Sequence, residues 1–104
     1  MAHSAEDVVR LEAALADPEV AQRYLRTILL RTHRGFADEI EPHAVPAARC
    51  VLHLRHVLLE DGIVAWFAKP RPVLGGRSPR EAMAAGDAED AVRLARRVAE
   101  GART

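Results

Sequence analysis

Residues 66–83 read WFAKPRPVLGGRSPREAM, and they hold most of the chain's structural punctuation. Trp66 and Phe67 are two of only four large aromatics in the 104 residues, and they close an apolar helical pattern. Pro70 and Pro72 forbid continued helix and favour an extended path. Gly75-Gly76 then permits a backbone turn closed to residues carrying a Cβ. Ser78-Pro79-Arg80-Glu81 matches a capping box, with serine at the cap, glutamate three residues on and proline in the first helical position. A helix ends, turns and restarts here, and nothing in the stretch asks for a strand.

Working outward, almost every other segment also reads as helix. No run alternates apolar and polar residues long enough to argue for a strand. Ser4 is a candidate cap for a first helix reaching about Ala16, with Val8, Leu11 and Leu15 on one face. Asp17-Pro18-Glu19 restarts the chain. A second helix carries Val20, Ala21, Tyr24, Leu25, Ile28 and Leu29 as a wide buried stripe, with Gly35 as its stop. Residues 36–45, closed by Pro42 and Pro46, read as a connector with one helical turn. A third helix spans about 46–60 and is interrupted by Asp61-Gly62. Its Leu58 and Leu59 face inward, and Arg49, His53, His56 and Glu60 form a solvated polar face. Beyond the capping box a short helix stops at Gly86. Asp87 caps a last helix whose Ala88, Ala91, Val92, Ala95, Val98 and Ala99 make one apolar seam. The fold expected is all-α: a small bundle of about five to six helices. Residues 1–45 form an N-terminal helical region, and 46–104 a C-terminal subdomain.

The bulk numbers narrow the function. Fifteen basic and fifteen acidic residues give zero formal charge, which removes whole-surface attraction to nucleic acid or anionic membrane. Cys50 is the only cysteine, so neither an internal disulfide nor a cysteine-built metal site is expected, as suits a reducing cytoplasm. No signal peptide and no membrane span is legible. His53 and His56, one turn apart, supply at most two metal ligands where a zinc site needs three or four. Gly75-Gly76 beside Arg77 lacks the spacing of a phosphate loop or dinucleotide fingerprint. Neither Ser78, used as a cap, nor Cys50, in apolar surroundings, has a positioned base. No enzyme, cofactor or metal is expected. Arg23, Arg26, Arg31 and Arg34 are the local basic excess, and a DNA-reading role for helices one and two stays open beside a simple solvated face.

The ordered series from Pro46 to Gly101 resembles the toxin-binding domain of the Xre/MbcA/ParS antitoxins, partners of RES-domain toxins. The residues that carry the resemblance are Trp66-Phe67, Pro70, Leu74-Gly75-Gly76, Arg77-Ser78-Pro79, Gly86 and Glu100-Gly101. It implies an all-helical cytoplasmic bacterial antitoxin of a type II toxin–antitoxin system. Such a protein binds an NAD-degrading toxin and obstructs its active-site entrance with the C-terminal helix and tail. On that resemblance Arg93, Arg97, Glu100, Gly101 and Arg103 are the expected toxin contacts. Trp66, Pro70, Leu74, Gly75, Gly76, Ser78 and Pro79 would hold the scaffold. Residues 1–45 match the family's upstream DNA-binding region poorly. The alternative is therefore a DNA-binding autorepressor using Arg23, Arg26 and Arg34. An Ala-rich last helix and a small core also make a homodimer plausible.

Overall fold

A computed structural model describes residues 5–29 and 33–101. Among them the regular structure is entirely helical. The α-helices are α1 (Ala5–Ala14), α2 (Pro18–Leu29), α3 (Arg34–Ile40), α4 (Ala44–Leu54), α5 (Glu60–Ala68), α6 (Pro79–Ala84) and α7 (Ala88–Gly101). Two 3-10 turns, Glu41–His43 and Pro72–Leu74, sit between them.

The centre is α4. Eight of its eleven residues are buried, from Ala44 to Leu54, and α1, α2 and α7 all pack on it. Its small residues explain the arrangement: Ala44, Ala47, Ala48 and Cys50 let neighbouring backbones approach, while Val51, Leu52 and Leu54 fill the space between. From α2 come Ala21, Leu25 and Leu29, and from α7 come Ala91, Val92 and Ala95. Ile63, Trp66 and Phe67 of α5 and Met83 of α6 join the same cluster. One apolar core therefore spans both the N-terminal region and the C-terminal segment, and residue 46 falls inside the first turn of α4. Burial leaves Cys50 wholly enclosed and pushes its thiol far above the ordinary range, so it acts as packing.

Several sequence expectations change. Gly35 does not stop α2; it lies in the first turn of α3, and residues 36–45 contribute most of that helix plus a 3-10 turn. Pro46, read as a boundary, sits third in α4, where a backbone N–H would lack an intrahelical partner anyway. The third helix ends at Leu54 rather than Glu60. The break runs over residues 55–59, and Glu60, Asp61 and Gly62 open α5 instead of interrupting a helix. Two acidic residues there favour the helix N-terminus. Leu59 takes an extended backbone just before α5 and is 86% exposed, not inward-facing. His53 is 7% exposed, so the solvated polar face does not exist as drawn. Leu11 also stays 41% exposed on α1. The Ser4 cap lies outside the described residues.

Other punctuation behaves as read. Asp17 Oδ1 accepts from the Glu19 amide at 2.9 Å at the start of α2. Ser78 Oγ accepts from the Glu81 N–H at 3.1 Å, and Glu81 Oε1 accepts from the Ser78 N–H at 2.9 Å, completing the capping box. The Ser78 amide and hydroxyl hold the Glu81 carboxylate below its usual range. Gly86, at φ 92°, closes α6. Asp87 N–H reaches Ala82 O at 2.8 Å and Gly86 N–H reaches Met83 O at 3.1 Å, the paired bonds of a Schellman ending.

Two substitutions test this punctuation. Ser78→Ala should cost about 1 kcal/mol, which lowers the melting temperature by roughly 4–8 °C in a domain of this size. Gly75→Ala meets no neighbouring atom but must hold φ near 72°, a left-handed strain of about 1–2 kcal/mol. Thermal melts should show both losses, and Gly35→Ala, in open space at helical φ, should show none.

Candidate protein-binding surface

The stretch from Arg71 to Arg77 folds onto itself. Arg71 N–H donates to Arg77 O at 3.0 Å, Gly75 N–H to Pro72 O at 3.0 Å, and Gly76 N–H to Arg71 O at 3.0 Å. The glycine amides are therefore occupied, and no phosphate cradle exists here. Arg77 fastens the loop forward: its Nε donates to Leu74 O at 2.9 Å and its NH1 to Asp87 Oδ2 at 2.8 Å, at the head of α7. Leu74, Ser78 and Pro79 are buried and Pro70 is exposed. Arg77 thus ties this loop to the start of α7.

On α7 the expected contacts Arg93, Arg97, Glu100 and Gly101 recur at i, i+4, i+7 and i+8, which places them on one face. All four are exposed. Arg93 NH1 donates to Asp90 Oδ1 at 3.3 Å along the helix. Beside this face lies a shallow groove of about 190 Å³, lined by Val73, Leu74, Asp90, Arg93, Leu94 and Arg97. Val73 stands 61% exposed at its edge. Apolar Val73 and Leu94 between guanidinium groups form a surface suited to a protein segment carrying both apolar and acidic side chains. Reading the sequence alone missed Val73 and Leu94. Their signal was weak: Val73 sits among prolines and glycines, and Leu94 lies one residue off the buried seam. Arg103 lies outside the described residues.

Two other members of the polar surface of α7, Arg96 and Glu89, reach across to α1 and α4. Arg96 NH2 donates to Glu12 Oε1 at 3.0 Å, and Arg49 Nε donates to the same oxygen at 2.9 Å. Arg49 NH1 also donates to Glu89 Oε1 at 2.5 Å. His53 Nε2 sits 3.7 Å from Glu12 Oε2. One carboxylate from α1 is thus held by groups from α4 and α7. Partial burial alone would raise the Glu12 pKa, but the Arg49 hydrogen bond and the nearby positive charges bring it below its ordinary value. Burial lowers the His53 pKa, and the attraction of Glu12 only partly offsets it. Sequence reading missed this cluster because its members lie up to 84 positions apart.

Of the arginines of the DNA alternative, Arg23 and Arg26 stand among acidic residues. Arg26 donates to Glu41 at 3.2 Å. Arg23 shares a shallow depression with Arg26, Glu19 and Gln22. The Arg34 side chain lies outside the described residues. Among the described residues no three His, Cys, Asp or Glu side chains are placed to hold a metal ion, and no helix is long and apolar enough to cross a membrane.

The chain matches no protein-family model, no curated protein and no solved structure.

Proposed function

We propose that this chain is an antitoxin that binds and inhibits a RES-type NAD-degrading toxin. Its contact surface is the outer face of α7 with the Val73–Leu94 groove beside it. The observation that carries the reading is the ordered series from Trp66 to Gly101. Its tryptophan, double-glycine turn and capping box serve as scaffold, and they leave Arg93, Arg97, Glu100 and Gly101 together on an exposed face. Inhibition by occlusion needs no catalytic group on this chain. Glu19 and Glu41 among the basic residues of α2 and its neighbour make autorepression through Arg23, Arg26 and Arg34 the weaker alternative. A homodimer belongs to the same proposal.

Co-expression with the product of the adjacent gene tests it. The expected result is a stable complex in which NAD consumption by the partner is suppressed. Arg93→Glu with Arg97→Glu should weaken that complex by about 10- to 100-fold, the loss expected when central arginine contacts are reversed. A neighbour that is not a RES-type enzyme, together with the absence of any complex, refutes the reading. A salt-sensitive shift of the chain's own promoter DNA, lost on Arg23→Ala with Arg26→Ala, would favour the autorepressor instead.

A further inference from the structure

A second groove, sharing no residue with the first, runs where α5 meets α7 and encloses about 290 Å³. Leu58, Ala65 and Val98 contribute apolar lining, and Trp66, Lys69 and Arg71 contribute an indole and two cations. Two of these residues carry an anomaly. Trp66 is 4% exposed, yet its indole N–H is buried without any acceptor. Arg71 Nε is likewise buried without an acceptor. Native proteins leave few buried donors unsatisfied, and two on adjoining groups ask for a cause.

The surroundings say what kind of group would satisfy them. The Arg71 guanidinium carbon lies 5.9 Å from the Trp66 ring centroid, so the cation stacks over the indole. Among the described residues neither Lys69 nor Arg71 pairs with a carboxylate. The lining therefore carries two N–H donors without acceptors, both closed to solvent until the Arg71 side chain shifts, and two positive charges, together with aliphatic residues. A carboxylate matches the donors and charges, since it accepts several hydrogen bonds at once and is strengthened by charge. An aliphatic stem or neighbour matches the aliphatic residues. Leu59, 86% exposed beside Leu58, extends the apolar surface outward and suits a protein segment rather than a small hydrated anion.

We infer that this groove is a binding site for a partner-protein segment that presents an Asp or Glu carboxylate next to an apolar side chain. The carboxylate takes the Trp66 and Arg71 N–H groups, with Lys69 beside it, and the apolar neighbour lies against Leu58, Ala65 and Val98. The site is separate from the α7 outer face and does not depend on the antitoxin reading.

Trp66 is the only tryptophan, so its indole N–H gives a single resonance in a 15N–1H spectrum. The probe is the capped peptide acetyl-Leu-Glu-Leu-amide, with acetyl-Leu-Gln-Leu-amide as its neutral counterpart. The Glu peptide is expected to shift the indole resonance saturably and downfield in the millimolar range, and the Gln peptide at least tenfold more weakly. Arg71→Gln, which keeps the side chain's reach but not its charge, should weaken the Glu peptide about tenfold. Ala65→Phe, on an exposed helical position, should fill the groove and abolish the shift, with circular dichroism confirming an intact fold. Arg93→Glu should leave peptide binding unchanged, which separates this site from the toxin-binding proposal. The inference is overturned by no saturable indole shift, by equal shifts from the Glu and Gln peptides, or by indifference to Ala65→Phe.

Discussion

Phe67→Ala should lower stability by about 4 kcal/mol, within the range for a fully enclosed aromatic. Phe67 has no exposed surface. Its ring lies 5.4 Å from that of Phe36 on α3 and edge-on at 5.1 Å to Trp66. Removing it leaves a hole at the junction of α3 and α5, where rigid helices cannot readily close in. A domain of this length carries roughly 5–15 kcal/mol in all. The variant should therefore melt about 20 °C lower, with a reduced urea midpoint and an unchanged slope. Leu59→Ser is the contrast. Leu59 is as apolar as its neighbours, yet 86% exposed, so its loss should stay within about 0.5 kcal/mol. Equal midpoints for the two variants would show that α5 is not packed as described.

Glu12→Gln should cost about 2–3 kcal/mol, because it leaves Arg49 and Arg96 facing each other without their shared carboxylate. The Glu12 side chain is only 19% exposed, so water restores little of what is lost. The same cluster sets a pH dependence. His53 binds its proton less readily folded than unfolded, where its ordinary value is 6.5. As pH falls through about that value the unfolded chain takes up more protons, and stability declines. Glu12 adds to the decline below its ordinary 4.5, since its folded pKa is also lowered. Arg49 and Arg96 face the imidazole alongside Glu12 and add to the cost of a second cation there. Melting temperatures measured from pH 7.5 to 4 should fall in two stages, and His53→Gln should remove the first. A melting temperature that rises on acidification would contradict the assignment.

What the sequence made legible was local. The capping box, the Gly75-Gly76 turn at positive φ and the Asp17 cap each depend on residues within a few positions, and each is present. The apolar stripes of α2 and α7 were legible too, because helical spacing alone decides which residues share a face. The break after Leu54 was not. It contains no proline or glycine, and Val57, Leu58 and Leu59 continue an apolar pattern through it. Packing of α5 against α6 decides where that helix restarts. His53 illustrates the same limit on the site. Spacing set it with Arg49 on a polar face, but Glu12 from α1 covers that face, and no local rule brings residue 12 to residue 53. For the α7 surface, the row of exposed arginines was visible in the sequence and the adjoining groove was not, since Val73 arrives from a separate turn.

The bond between Arg96 and Glu12 joins residues 84 apart, and that separation bears on the order of events during synthesis. Local helices can form as they emerge, and α2 can settle on α4 early. By contrast, α1 gains one of its two arginine partners only after α7 has left the ribosome. At about 5–20 residues per second the wait is roughly 4–17 s, long against the microseconds a helix needs to form. From their own synthesis until its end, Arg49 and His53 of α4 lack the partner on α7 that shares their carboxylate. The first helix to be made is then among the last to be locked in place, and it closes the fold like a latch.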